Sequence, residues 1–185
     1  MIRCHITDRR ALGSTGALLE RIARNDASGV DLVQVREKDL GGRELSVLVA
    51  EILAVCRRAR VVVNSRVDVA LACGAHGAHL PADSPPPAVW RPITPAGFLM
   101  GVSCHNIAEL KEAEAGGSNY ALFAPVFRPL SKHDTRVPHG LDGLRAACAA
   151  VRIPVYALGG ITAENASLCQ AAGAAGVAGI TLFQS

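Results

Sequence analysis

The chain has 185 residues, half of them hydrophobic, with 19 basic against 16 acidic side chains and a formal net charge of +3. That length suits a single domain from residue 1 to 185, and so much apolar side chain excludes wholesale disorder. The small, dispersed charge and 4% aromatic content exclude the basic stripe and stacking surface of a nucleic-acid binder, and no apolar run could cross a bilayer uninterrupted.

The chain opens Met1-Ile2-Arg3-Cys4-His5, which carries no leader pattern. Apolar, strand-like runs then follow at 2–7, 32–37, 61–64, 77–80, 99–105, 120–127, 154–158 and 176–182. Helical patterns lie between them. Leu45, Leu48, Val49, Ile52, Leu53 and Cys56 recur at the spacing of one helix face. Asn106 predicts the cap of a helix opening on Ile107, and Leu141, Leu144 and Cys148 mark another. Strands alternating with helices predict a parallel sheet, and eight of them favour closure into a (βα)8 TIM barrel. An open doubly wound sheet is the alternative. A small residue followed by glycine recurs at Ser28-Gly29, Cys73-Gly74, Ala115-Gly116 and Ala172-Gly173, each ending a helical pattern ahead of an even-numbered strand. The chain stops at Phe183-Gln184-Ser185, directly after the eighth strand, so a minimal barrel lacking the final helix is expected. A homo-oligomer contact is one candidate cover for that flank. The cysteines Cys4, Cys56, Cys73, Cys104, Cys148 and Cys169 stand singly in apolar segments with no C-x-x-C pair. Reduced, buried thiols in a cytoplasmic protein are the expectation; zinc or disulfide roles are the alternative.

In such barrels the active site lies at the carboxyl ends of the strands. The second strand runs Val33-Gln34-Val35-Arg36-Glu37-Lys38. A period of two places Gln34, Arg36 and Lys38 on one face and the valines on the other. The valines must meet the helices, so the polar ladder points into the barrel. Unpaired buried cations are costly, which predicts a bound anion at the barrel mouth. The competing reading is an internal salt-bridge network with Glu37 or Asp39.

Asn64 closes the third strand, and His79 in the fourth is either a site residue or a hydrogen-bonded barrel residue. Ser103 and His105 share a face of the fifth, and His105 either serves the site or simply starts the next helix. After the sixth strand, Ser131-Lys132-His133-Asp134, then Arg136 and His139, make a long polar loop, a candidate lid or a solvated face. The seventh strand ends Leu158-Gly159-Gly160-Ile161-Thr162, with a helix expected near Ala163, and the eighth ends with Gly179 and Thr181. Glycines beside a helix start let a phosphate approach the backbone, and the loops after strands seven and eight are the usual phosphate cradle.

Taken in order, from Ile6-Thr7-Asp8-Arg9 to Gly176-Val177-Ala178, these segments resemble thiamine-phosphate synthase and its sister TenI-like thiazole tautomerases over nearly the whole chain. The segments that carry the resemblance include Val33–Asp39, Val63-Asn64, Gly101–His105, Ser131-Lys132 and 154–161. The resemblance implies a TIM barrel and a transferase that joins hydroxymethylpyrimidine diphosphate to thiazole phosphate with loss of pyrophosphate. Its partners are then phosphorylated pyrimidine and thiazole small molecules, with no nucleic acid and no membrane. It implies that Gln34, Arg36, Lys38, Asn64 and Lys132 hold the diphosphate and that Ser103 sits near the pyrimidine. Gly159, Gly160 and the Gly179–Thr181 strand end would cradle the thiazole phosphate, with His79, His105 and Ser131 completing the substrate-binding set.

Magnesium is the cofactor the resemblance implies, but its ligand positions depart from the family pattern. Ser65 stands where the pattern has Asp, and the Gly-Gln-x-Asp stretch reads Pro81-Ala82-Asp83-Ser84, with Asp one place early. Asp83 is therefore the candidate metal ligand in a depleted set. The tautomerase pattern carries a His in its sixth-strand Gly-His-x-Phe stretch, where this chain reads Ala124-Pro125-Val126-Phe127. The expectation is a synthase. The alternatives are a tautomerase moving a proton through His105 or Lys132, and a non-catalytic homologue that binds a phosphorylated ligand.

Overall fold

Leu32, Val33, Gln34 and Val35 are all buried, which a strand achieves only when both its faces are covered. Val33 and Val35 pack outward among helix residues, whereas Leu32 joins the apolar cluster inside the sheet. The computed structural model describes residues 1–128 and 136–184, and in it eight parallel strands close into a barrel in chain order. The strands are β1 (Ile2–Ile6), β2 (Leu32–Val35), β3 (Arg60–Asn64), β4 (Gly77–Leu80), β5 (Leu99–Cys104), β6 (Tyr120–Phe123), β7 (Val155–Ala157) and β8 (Gly176–Gly179). The ladder closes where Ile2 of β1 pairs with Gly176 of β8. The expected TIM barrel is therefore the fold.

The helices between them are α1 (Arg9–Leu12), α2 (Thr15–Ala27), α3 (Gly42–Val55), α4 (Val67–Ala72), α5 (Pro87–Trp90), α6 (Ile107–Ala115), α7 (Gly140–Ala150), α8 (Ala166–Ala171) and α9 (Thr181–Gln184). Helix α3 buries Leu45, Leu48, Val49 and Ile52, the stripe the periodicity marked. Asn106 caps α6 as expected, its side chain accepting the Glu109 N–H at 2.9 Å. The helix expected near Ala163 starts at Ala166, because Asn165 first folds back to accept the Thr162 N–H at 2.8 Å. Of the four glycine caps, Gly29, Gly74 and Gly173 take positive φ. In the third copy that conformation falls one residue later, on Gly117.

Inside the barrel Tyr120 and Tyr156 stack with ring centroids 4.9 Å apart. They fit because β5 and β8 present glycines. A Cβ on Gly101 would stand in the Tyr120 ring, and one on Gly176 would lie 2.8 Å from Tyr156 Cδ1. The two tyrosines thus plug the barrel's lower half and leave its carboxyl end to other side chains.

The single turn α9 follows β8 among the described residues. Its Phe183 is buried, packs 5.7 Å from the His5 ring and offers its carbonyl to Asn25 Nδ2 at 2.8 Å. The flank for which a partner copy was one candidate cover is thus partly closed by the chain itself. No described helix is long and apolar enough to cross a membrane.

One polar contact ties the amino-terminal helices to β3. The buried Asp26 carboxylate, on the last turn of α2, accepts the N–H groups of Arg57, Arg58 and Ala59 at 3.0, 3.1 and 2.6 Å. Burial pushes its pKa up, but the three backbone donors and Arg58 outweigh that and hold it below the ordinary value. Asp26→Ala strips all three N–H groups of their acceptor. We expect it to destabilise the fold by about 3 kcal/mol, read as a lower urea midpoint.

Candidate active site

The carboxyl ends of the strands surround a cavity of about 510 Å3. Its floor is apolar, made by Ile6, Leu122, Leu158 and Ile180. Its polar wall comes from Arg36, Lys38, Asn64, Asp83, Ser103 and His105, six of the residues singled out from the sequence.

The ladder on β2 explains how the cations reach this wall. Gln34 is buried inside the barrel and donates from Nε2 to Asn64 Oδ1 at 3.2 Å. Its own Oε1 has no hydrogen-bond partner. Two residues later the strand has left the ladder, and Arg36 is fixed by its backbone N–H, which donates to Thr7 Oγ1 at 2.9 Å. Arg36 and Lys38 then line the cavity.

The salt-bridge alternative fails for a specific reason. Glu37 and Asp39 are engaged by arginines of α1. Arg9 stands 3.9 Å from Glu37 and 2.5 Å from Asp39, and Arg10 stands 3.2 Å from Asp39. The Arg9 N–H also donates to Glu37 Oε1 at 3.0 Å. Burial raises the Glu37 pKa, with Thr7 and Arg9 working against it. Among the described residues neither Arg36 nor Lys38 has a carboxylate within ion-pair distance. Two cations with no ion-pair partner among the described residues, at the mouth of an apolar-floored cavity, are suited to an anion.

His79 lies beneath the wall and does not line the cavity. Its Nε2 is 2.9 Å from Ser103 Oγ and its Nδ1 is 3.2 Å from the Tyr120 hydroxyl. Burial, reinforced by Arg36, lowers its pKa to about 3, so the ring is neutral at physiological pH. It orients Ser103 toward the cavity. His105 is at the cavity wall, where Glu109 on α6 lies 3.1 Å from its Nδ1 and accepts its backbone N–H at 2.7 Å. Both readings of His105 are thus realised at once, a wall residue and a helix-start residue.

The glycine pair after β7 also answers to a packing demand inside the protein. Gly159 lines the cavity, with φ at +96°, and Gly160 does not, with φ at +63°. A Cβ on Gly159 would lie 2.8 Å from Pro125 Cα, and one on Gly160 would lie 2.5 Å from the Arg128 carbonyl oxygen. What approaches the pair closely is the loop after β6, bonded to it through Val126 N–H to Leu158 O at 2.9 Å and Phe127 N–H to Gly159 O at 3.0 Å. Gly160→Ala should therefore cost about 1–3 kcal/mol of stability, measured as a lower denaturation midpoint. Gly179 is buried beneath Leu182, and Thr181 opens α9 with its side chain exposed. Neither lines the cavity, although Ile180 between them does. Ser131 and Lys132 lie outside the described residues.

Sequence reasoning passed over the floor residues and placed Arg136, which also lines the cavity, only within a candidate lid or solvated loop. The floor was accessible in principle. Ile6, Leu122 and Leu158 share the inward parity of their strands with Cys4, Tyr120 and Tyr156. Pro125, where the tautomerase pattern has His, follows a cis peptide and forms part of the wall.

The implied magnesium is poorly served by these donors. Among the described residues Asp83 is the single carboxylate on the cavity wall. Asn64 Oδ1 is taken by Gln34, and Ser65 Oγ accepts from Asn64 Nδ2 at 2.9 Å. No group of three or more His, Cys, Asp or Glu side chains close enough to hold a metal exists among the described residues. One exposed carboxylate and two engaged neutral oxygens do not fit a magnesium site of the protein's own making.

The profile of the thiamine monophosphate synthase family matches residues 4–183. The thiamine-phosphate synthase of Methanoculleus marisnigri is 42% identical over 172 residues, covering 91% of this chain and 80% of that protein. The thiamine-phosphate synthase of Chlorobium luteolum is 37% identical over 182 residues, covering 97% and 84%. Among solved structures, the thiamine phosphate pyrophosphorylase from Pyrococcus furiosus superposes with a TM-score of 0.87 at 33% identity, over all of this chain and 88% of that one. The 3-hexulose-6-phosphate synthase, at a TM-score of 0.73 and 18% identity, shares the fold. The chain belongs to the thiamine monophosphate synthase family.

Proposed function

We propose that this enzyme forms thiamine phosphate from hydroxymethylpyrimidine diphosphate and thiazole phosphate, releasing pyrophosphate. The observation that carries the reading is the pair Arg36 and Lys38, which line the family's cavity without carboxylate partners among the described residues.

The bond from the pyrimidine methylene carbon to the diphosphate oxygen breaks, and its electron pair leaves with the pyrophosphate. The thiazole ring nitrogen then gives its lone pair to the methylene carbon, closing the new C–N bond. Negative charge grows on the departing oxygen, so cations fixed beside it stabilise the transition state more than the ground state. Arg36 and Lys38 take that role, and Lys132 joins them in this proposal. The apolar floor of Ile6, Leu122, Leu158 and Ile180 supplies a low-dielectric surface that strengthens those charges and keeps water from the pyrimidine cation. Ser103, whose Oγ His79 holds, hydrogen-bonds the pyrimidine ring in this proposal. Asn64, itself held by Gln34, completes the diphosphate side of the wall. The strand end after β7 receives the thiazole phosphate. We assign the reaction to the cytoplasm, where six free cysteines stay reduced.

Purified protein given both phosphorylated precursors should yield thiamine phosphate. Absence of that product at every magnesium concentration, from a folded sample, would exclude the reading.

A further inference from the structure

We infer that the diphosphate group is held in this cavity by the protein's own cations, with no divalent metal between them. The inference rests on the proposed function for its ligand, and on four observations for its mechanism.

The first is the balance of charge on the wall. Among the described residues, Arg36 and Lys38 line the cavity together with one carboxylate, Asp83. A magnesium ion placed among them would meet more repulsion than attraction. The second is the employment of the nearest other acids. Glu37 and Asp39 are bound by Arg9 and Arg10, so neither is available to turn toward a metal.

The third is the state of residue 65. Ser65 sits at φ +63°, a left-handed backbone conformation that suits Asn or Asp better than Ser. Its N–H donates to the His79 carbonyl at 2.8 Å, which fixes the turn. Its hydroxyl is turned to Asn64 Nδ2. The backbone shape that would present a carboxylate is kept, while the carboxylate is replaced by a neutral oxygen serving Asn64. The fourth is Asn64 itself, whose Oδ1 is occupied by Gln34 Nε2 at 3.2 Å. The two side-chain oxygens at the end of β3, Asn64 Oδ1 and Ser65 Oγ, therefore each accept a hydrogen bond already. Arg36 and Lys38, by contrast, have no ion-pair partner among the described residues, which suits the diphosphate directly.

The test is calorimetric titration of the full chain with inorganic pyrophosphate, once in EDTA and once in millimolar magnesium. Saturable binding in EDTA, with affinity equal to or weaker in magnesium, is the expected result. Magnesium weakens it by chelating pyrophosphate and lowering its charge. Arg36→Met should reduce the affinity in EDTA at least tenfold, because it removes a contacting cation. Binding seen only with magnesium, or tightened tenfold or more by it, would overturn the inference, as would no binding in either buffer.

The two proposals fail separately. Pyrophosphate bound in EDTA by a protein that makes no thiamine phosphate would sink the synthase reading and leave the metal-free site standing. Magnesium-dependent synthesis, with pyrophosphate bound only alongside magnesium, would do the reverse.

Discussion

Arg36→Met is expected to lower turnover by about a hundred- to a thousandfold while leaving the fold intact, the scale seen when one preorganised charge-stabilising group is removed. The two halves of that expectation come from the same geometry. The Arg36 backbone is anchored to Thr7, so the chain path does not depend on the guanidinium. The guanidinium itself has no carboxylate partner among the described residues, so its loss leaves no buried acid unpaired. Methionine keeps the length and removes only the charge. Steady-state kinetics with an unchanged thermal midpoint would establish the effect, and turnover within threefold of wild type would place the leaving-group charge elsewhere. The substitution should also ease the charging of His79, whose pKa Arg36 helps to lower.

The second large effect is loss of stability in mild acid. His79 is lowered to about 3 by burial and Arg36, and His5 to about 4 by burial and Arg21. In the unfolded chain both titrate near the ordinary value of about 6.5. Below that value the unfolded state takes up protons that the folded state refuses, so stability falls with pH. The contribution is complete above about 6.5 and is lost as pH drops toward the two folded-state values. By pH 5 the loss is on the order of 2 kcal/mol for each histidine. Glu37 works in the opposite sense, because its raised pKa lets the folded state accept a proton first. Asp26 matters only further down, since its lowered pKa keeps its contribution until the pH falls through that value. Urea unfolding at pH 7, 6 and 5 should show a falling midpoint, less steep in His5→Asn. A flat midpoint over that range would contradict the burial of neutral imidazoles.

Much of the site was legible because strands have strict parity. Once Val33 and Val35 had to face helices, Gln34, Arg36 and Lys38 had to face inward. The same rule brought Ser103 and His105 to one wall and set His79 below it. What parity could not supply was pairing across the chain. Arg9 and Glu37 are 28 residues apart, and nothing in either segment says that the acids beside the ladder belong to α1 rather than to Arg36 and Lys38. Gly159 and Gly160 were legible as special backbone, but the close approach of the β6 loop to them was not. Strand ends were overrun for a related reason. Residues 36–37 and 124–127 continue an apolar or alternating pattern, yet the chain there has left the ladder to form the mouth of the barrel.

The most direct test of the account is a paired count of both products from the purified enzyme supplied with hydroxymethylpyrimidine diphosphate and thiazole phosphate. Thiamine phosphate and pyrophosphate should appear in equal amounts from wild type, and both should fall together in Arg36→Met. Pyrophosphate released without thiamine phosphate, or equal yields from wild type and Arg36→Met, would contradict a cavity in which Arg36 holds the leaving group while the thiazole captures the pyrimidine.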